Sequence, residues 1–164
     1  AVNPEYVGAA LRRAKAIYEA LPQTPDLLRI DTYPNENASE CGNESDLNAF
    51  LSAGPFPFEQ RSILISDGGE QYEVLQLYWN LYGADYSPDP LLGEIIKADL
   101  GGISALASSV YFANTKETYL YHVYDDRGAD LAAQRRETLR SIYENFNQWI
   151  LEYDREKIDK LFAE

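Results

Sequence analysis

Apolar residues recur at three-and-four spacing from Val7 through Ala10, Leu11, Ala14, Ile17, Tyr18 and Leu21, a period that turns one face of a helix toward a core. Asn3 offers a capping oxygen and Pro4 a preset φ at the first helical position, so the pattern predicts a helix over 4–21. Pro22 and Pro25 stop it. The period then shortens, and Leu28 and Ile30 share one face of a strand over 27–33. Residues 34–43 read as a polar loop, Ser45 or Asp46 as the cap of a short helix through Leu51, and Gly54, Pro55 and Pro57 as breakers.

Ile63, Leu64 and Ile65 form the apolar centre of a strand over 61–66, and Asp67, Gly68 and Gly69 supply turn chemistry leading into residues 70–82. The expected result is a hairpin. Its second arm alternates Leu75, Leu77, Trp79 and Leu81 with Val74, Gln76, Tyr78, Asn80 and Tyr82, the pattern of a central, half-buried strand. Asp89 and Pro90 open a helix with the stripe Leu91, Leu92, Ile95 and Ile96, closed by Gly101 and Gly102. Residues 109–113 and 118–124 flank a polar turn and predict a second hairpin, followed by a tight turn over 125–128 and a few extended residues to Ala132.

Leu139, Ile142, Tyr143, Phe146, Trp149, Ile150 and Tyr153 repeat without a miss and predict one long helix across the sheet, with a short helix after Asp154 carrying Ile158, Leu161 and Phe162. Together these elements predict an α+β fold: an antiparallel sheet of about four to five strands packed against N- and C-terminal helices, in a single domain over residues 1–164. Strand order stays open, because two hairpins and a lone strand can be arranged in several ways.

Composition narrows the functional classes. An apolar fraction of 45% with thirteen tyrosines is a folding composition, and fourteen basic against twenty-seven acidic residues leave a net charge of −13. That field repels nucleic acid and anionic membrane and favours encounter with a basic protein. No apolar run approaches the roughly 20 residues of a membrane span, and no basic-then-apolar leader is visible, so the expected location is cytoplasmic. Cys41 stands alone, which excludes an internal disulfide and a thiolate metal cluster.

Candidate chemistry is sparse. His122 is the sole histidine and lies among Tyr119, Tyr121 and Tyr124, where it reads as a sheet histidine with satisfied hydrogen bonds. Asp125 and Asp126 form a carboxylate pair suited to acid–base work, yet aspartates in turns bond backbone amides and Arg127 offers a local counter-charge. Asp125, Asp126 and Asp130 lack the spacing and closing glutamate of a calcium loop, and no glycine pair sits in a phosphate-binding motif, so neither metal nor cofactor is expected. Tyr143, Phe146, Trp149 and Tyr153 read as core, while strand tyrosines divide between two sheet faces; a face without helical cover would be a binding surface.

The segments SSVYFANTKETYLYHVYDDRGADL and LRSIYENFNQWILEYDREKIDKLF resemble a bacterial family of unknown function, in which an aromatic strand leads to YDDRG and then to a helix with a Trp-containing segment and YDR. ALRRAKAIYEAL and LLGEIIKADLGG are similar to the family's other helices, whereas Ala129 stands where the family often has cysteine. The resemblance makes Tyr124, Arg127, Gly128, Trp149 and Tyr153 structural. It also implies a context, since small acidic α+β families of this kind often accompany secreted toxins. The expectation is therefore a non-enzymatic immunity protein that blocks a basic toxin domain one to one, contacting it through Asp125, Asp126, Asp130, Glu94 and Asp99. Two alternatives stand beside it: a hydrolase or nucleotide-processing enzyme built on His122, Asp125 and Asp126, and a module that self-associates through an exposed aromatic face.

Overall fold

The computed structural model describes residues 3–33, 58–98, 100 and 108–163. Asn3 opens helix α1 (Pro4–Glu19), its side-chain oxygen accepting from the Glu5 amide at 3.0 Å, as the cap and proline pattern requires. Strand β1 (Leu27–Thr32) follows. Strands β2 (Phe58–Asp67) and β3 (Glu70–Asn80) join through Gly68 and Gly69, whose φ of +60° and +90° give the tight turn that matches strand twist. Helix α2 (Asp89–Ala98) precedes β4 (Ser109–Asn114), β5 (Tyr119–Val123) and β6 (Ala129–Ala133). The chain then forms two short 3₁₀ turns and helices α3 (Arg140–Asn145) and α4 (Glu152–Phe162).

The strands make one sheet in the order β2-β3-β1-β4-β5-β6, antiparallel at every pairing. Among the described residues six strands replace the expected four to five, because the short alternating run Ala129–Ala133 pairs fully with β5. β1 lies between the two hairpins and fixes the order that sequence left open. Its Leu28 and Ile30 stand opposite Trp79 and Leu77 on one side and Phe112 and Val110 on the other, which carries a single apolar layer across three strands.

Helices α1, α2 and α3 cover that layer. Tyr18 meets Phe112 edge-on at 5.1 Å, the Tyr121 hydroxyl donates to the Ala14 carbonyl at 3.0 Å, and Ile142 joins the same cluster. Leu91, Leu92, Ile95 and Ile96 of α2 are all buried, each contributing about 1.5–3 kcal/mol by removal from water. Asp89 turns its carboxylate to Lys15 of α1 at 2.5 Å, tying the two helices together.

The long C-terminal helix expected over 139–153 is broken. α3 ends at Asn145, residues 147–149 tighten into a 3₁₀ turn, and α4 starts afresh at Glu152. Arg155 binds the carbonyls of Asn147 and Ile150 at 3.0 and 3.3 Å and the Asn147 side chain at 3.1 Å, supplying partners that a continuous helix would have provided. The break rotates Tyr153 out of the stripe to 95% exposure, so it is not a core residue. α4 stacks on α3 through Tyr143 and Phe162, 4.3 Å apart. The loop at 34–43, the short helix ending at Leu51, the breakers at 54–57, Cys41, Asp99 and the Gly101–Gly102 stop lie outside the described residues.

Candidate functional site

Strand alternation sends the neighbours of the core residues to the opposite face of the sheet. The register aligns Glu59, Tyr78, Arg29 and Tyr111 in one row across β2, β3, β1 and β4, and pairs His122 with Asp130 across β5 and β6. Arg61, Gln76, Asp31 and Ser109 form the adjacent row. The side chains interact along these rows. The Arg29 guanidinium lies 4.2 Å from the Tyr111 ring centre, Tyr111 stacks on His122 at 4.3 Å, and His122 is 6.0 Å from Tyr124. Asp31 is buried against Arg29, with Nε at 3.0 Å, while Gln76 reaches it with long contacts of 3.4 Å and accepts from the Tyr78 hydroxyl at 2.8 Å.

Burial without a partner would make Asp31 costly, and Arg29 offsets that with an opposite charge at close range, although its Nε makes no well-aligned hydrogen bond. His122 is fixed from below: its Nδ1 lies 2.8 Å from the Val110 carbonyl, which can only accept, so Nδ1 is the donor. The result is a preorganised polar and aromatic strip, half-buried at Tyr78, Tyr111 and His122 and exposed at Tyr124 and Asp130. Such a strip suits stacking, cation–π contact and hydrogen bonding to a partner.

The YDDRG turn is built for shape. Asp125 accepts from the Arg127 amide at 2.7 Å and from the Arg127 guanidinium through Nε at 2.8 Å and through Nη2. Burial pushes the Asp125 carboxyl up, but the Arg127 side chain and the Arg127 and Gly128 amides together outweigh it and hold the group below its ordinary value. Asp126 accepts from the Tyr6 hydroxyl at 2.6 Å, which anchors the start of α1 to the turn and raises the tyrosine pKa. Gly128 lies directly beneath the Tyr124 ring, where a Cβ would collide with the Tyr124 hydroxyl.

The sequence-predicted residues therefore separate. Asp130 is exposed beside the strip and Asp126 is half-buried with one oxygen engaged, whereas Asp125 is buried and held by Arg127, and Glu94 is ion-paired with Lys97 at 2.5 Å with little exposure. Asp99 lies outside the described residues. Trp149 is half-buried, packed on Phe146 at 4.9 Å with Arg13 at 5.9 Å from its ring. Among the described residues no hydrogen bond joins His122 to Asp125 or Asp126, and no three His, Cys, Asp or Glu side chains gather as a metal site. Arg29 and Asp31 went unread in the sequence, and Gln76 was read only as a strand position, although an Arg and an Asp two apart in an otherwise apolar strand mark a charged pair on one face.

The fold and strip define a class: an α+β protein whose antiparallel sheet carries helices on one face and an ordered polar and aromatic surface on the other. The chain belongs to the family described as "Domain of unknown function (DUF3885)", which it matches over residues 1–154. It is 29% identical over 105 residues to the uncharacterised protein YnaE of Bacillus subtilis (strain 168), a match that spans 60% of this chain and 46% of that protein. No solved structure matches.

Proposed function

We propose that this protein acts by binding another protein, as an immunity factor that occupies a basic toxin domain one to one in the bacterial cytoplasm. The observation that carries the reading is the strip from Arg29 through Tyr111 and His122 to Tyr124, with Asp130 at its end. Aromatic and arginine side chains held rigid before contact lose little entropy on binding, which is what interface anchors require. The net charge of −13 adds fast encounter with a cationic partner and disfavours nucleic acid. Of the five carboxylates first considered, Asp99 lies outside the described residues, Asp125 and Glu94 serve Arg127 and Lys97, and Asp126 gives one oxygen to Tyr6, so exposed Asp130 leads the acidic contact set with Asp126 beside it.

An enzyme built on His122, Asp125 and Asp126 has less support: His122 is occupied by a backbone carbonyl and a stacking tyrosine, and the two aspartates by Arg127 and Tyr6. The test is co-expression with the product of the neighbouring gene, scoring growth and recovery of a complex. Wild type should protect and co-purify, and Asp130→Arg combined with Tyr111→Ala should weaken binding at least about a hundredfold while the fold survives. Full protection by that double variant would move the interface off this face. Turnover of a small molecule by wild type that His122→Ala abolishes would favour the enzyme.

A further inference from the structure

Among the described residues β2 is an edge strand of ten residues, and its register with β3 runs unbroken from Phe58 opposite Trp79 to Asp67 opposite Glu70. It has no bulge, proline or lysine, the devices by which edges normally resist pairing, and the opposite edge, β6, is only five residues long. Because Asp67 and Glu70 close a two-residue turn, residues 67, 65, 63 and 61 direct their backbone groups to β3, while Ser66, Leu64, Ser62 and Gln60 direct theirs outward. All four outward residues are exposed, Leu64 at 73%.

We propose that β2 pairs antiparallel with β2 of a second copy of this chain, about a twofold axis through Leu64, to make one continuous sheet. The argument is self-complementarity. With Leu64 opposite the partner's Leu64, Ile63 faces the partner's Ile65, Ser62 faces the partner's Ser66, and Arg61 faces the partner's Asp67. Each side chain meets one of matching character on the same face, and the outward amides and carbonyls of the central residues form about six backbone hydrogen bonds. The two neighbouring registers that keep the outward groups paired lose this match. One sets Glu59 against the partner's Asp67, and the other sets Ile63 against it. Twofold symmetry repeats every contact, so the Arg61–Asp67 pair occurs twice. Arg61 is accessible for it, its side chain being 60% exposed, paired with the equally exposed Glu59 and lying 5.3 Å from the centre of the Tyr78 ring.

Sedimentation equilibrium of the full chain over a dilution series, at about 0.15 M salt to screen the net charge, tests the pairing. Wild type should dimerise in the micromolar range. Arg61→Asp and Asp67→Arg should each raise the dissociation constant about tenfold by opposing like charges twice. The combined Arg61→Asp/Asp67→Arg swap should restore wild-type affinity. Leu64→Lys, which sets two cations together at the axis, should give a monomer with an unchanged circular dichroism spectrum. A wild type that stays monomeric at about 100 µM, roughly −5.5 kcal/mol of association, overturns the proposal. So does a dimer indifferent to the reversals, or a swap that fails to restore it.

Discussion

Asp125 illustrates how one residue type reads two ways until its neighbours are known. A carboxylate pair in a turn suits acid–base chemistry, but the guanidinium two positions on takes one oxygen and the backbone amide takes the other. Asp125→Asn removes the charge and leaves Arg127 facing an amide N–H, which should cost about 1–3 kcal/mol at neutral pH in urea denaturation. The sign of the pH dependence follows from the depressed folded-state value. The contribution is complete above the ordinary carboxylate value of 3.8 and is lost as pH falls through the lower folded one, so the gap between wild type and variant should narrow only in acid. Legibility at this scale was uneven. Arg127 beside Asp125 announced the pairing, whereas Arg29 and Asp31 gave no such notice, because their value comes from Tyr111 and Gln76 on other strands.

Elements were legible where local chemistry alone decides them. Asn3-Pro4 and Gly68-Gly69 specify a helix start and a hairpin turn from adjacent residues, and both stand where the pattern placed them. The β4–β5 hairpin shows what such chemistry leaves out. Asn114 organises its turn by accepting from the Lys116 and Glu117 amides, but Thr118 is forced to φ +52°, a region that β-branched side chains resist. Thr118→Asn should relieve that strain without adding the unfolded-state entropy of glycine, raising stability by about 0.5–1 kcal/mol in thermal melts; a loss of stability would show that the threonine side chain makes a compensating contact. The C-terminal helix failed for the opposite reason. Its apolar period is intact through Tyr153, yet periodicity counts side chains only, and the deciding contact is Arg155 reaching back to the carbonyls of Asn147 and Ile150.

Across the whole molecule, the property that local patterns hide is the burial of tyrosine in the single apolar layer. Strand order was illegible for the same reason, since β1 finds its place between the hairpins only through contacts distant in sequence. Burial pushes the Tyr18 hydroxyl up to about 12 and those of Tyr86, Tyr119 and Tyr121 higher still. Tyr119 and Tyr121 also donate to the carbonyls of Gln23 and Ala14, bonds that exist only while the proton remains. A group whose folded value lies above its unfolded value stabilises fully below the latter and loses that contribution as pH rises toward the former. Stability should therefore fall steeply above about pH 10, where the unfolded chain releases protons that the folded one retains. Tyr18, Tyr86, Tyr119 and Tyr121 should ionise only as the sheet unfolds. Absorbance at the phenolate band followed alongside far-ultraviolet circular dichroism tests this, since their ionisation should coincide with loss of the strand signal. A single smooth titration with intact dichroism would mean that the sheet face under α1 and α2 is open to hydroxide, and the tight layer between Tyr18, Phe112 and Tyr121 would have to be abandoned.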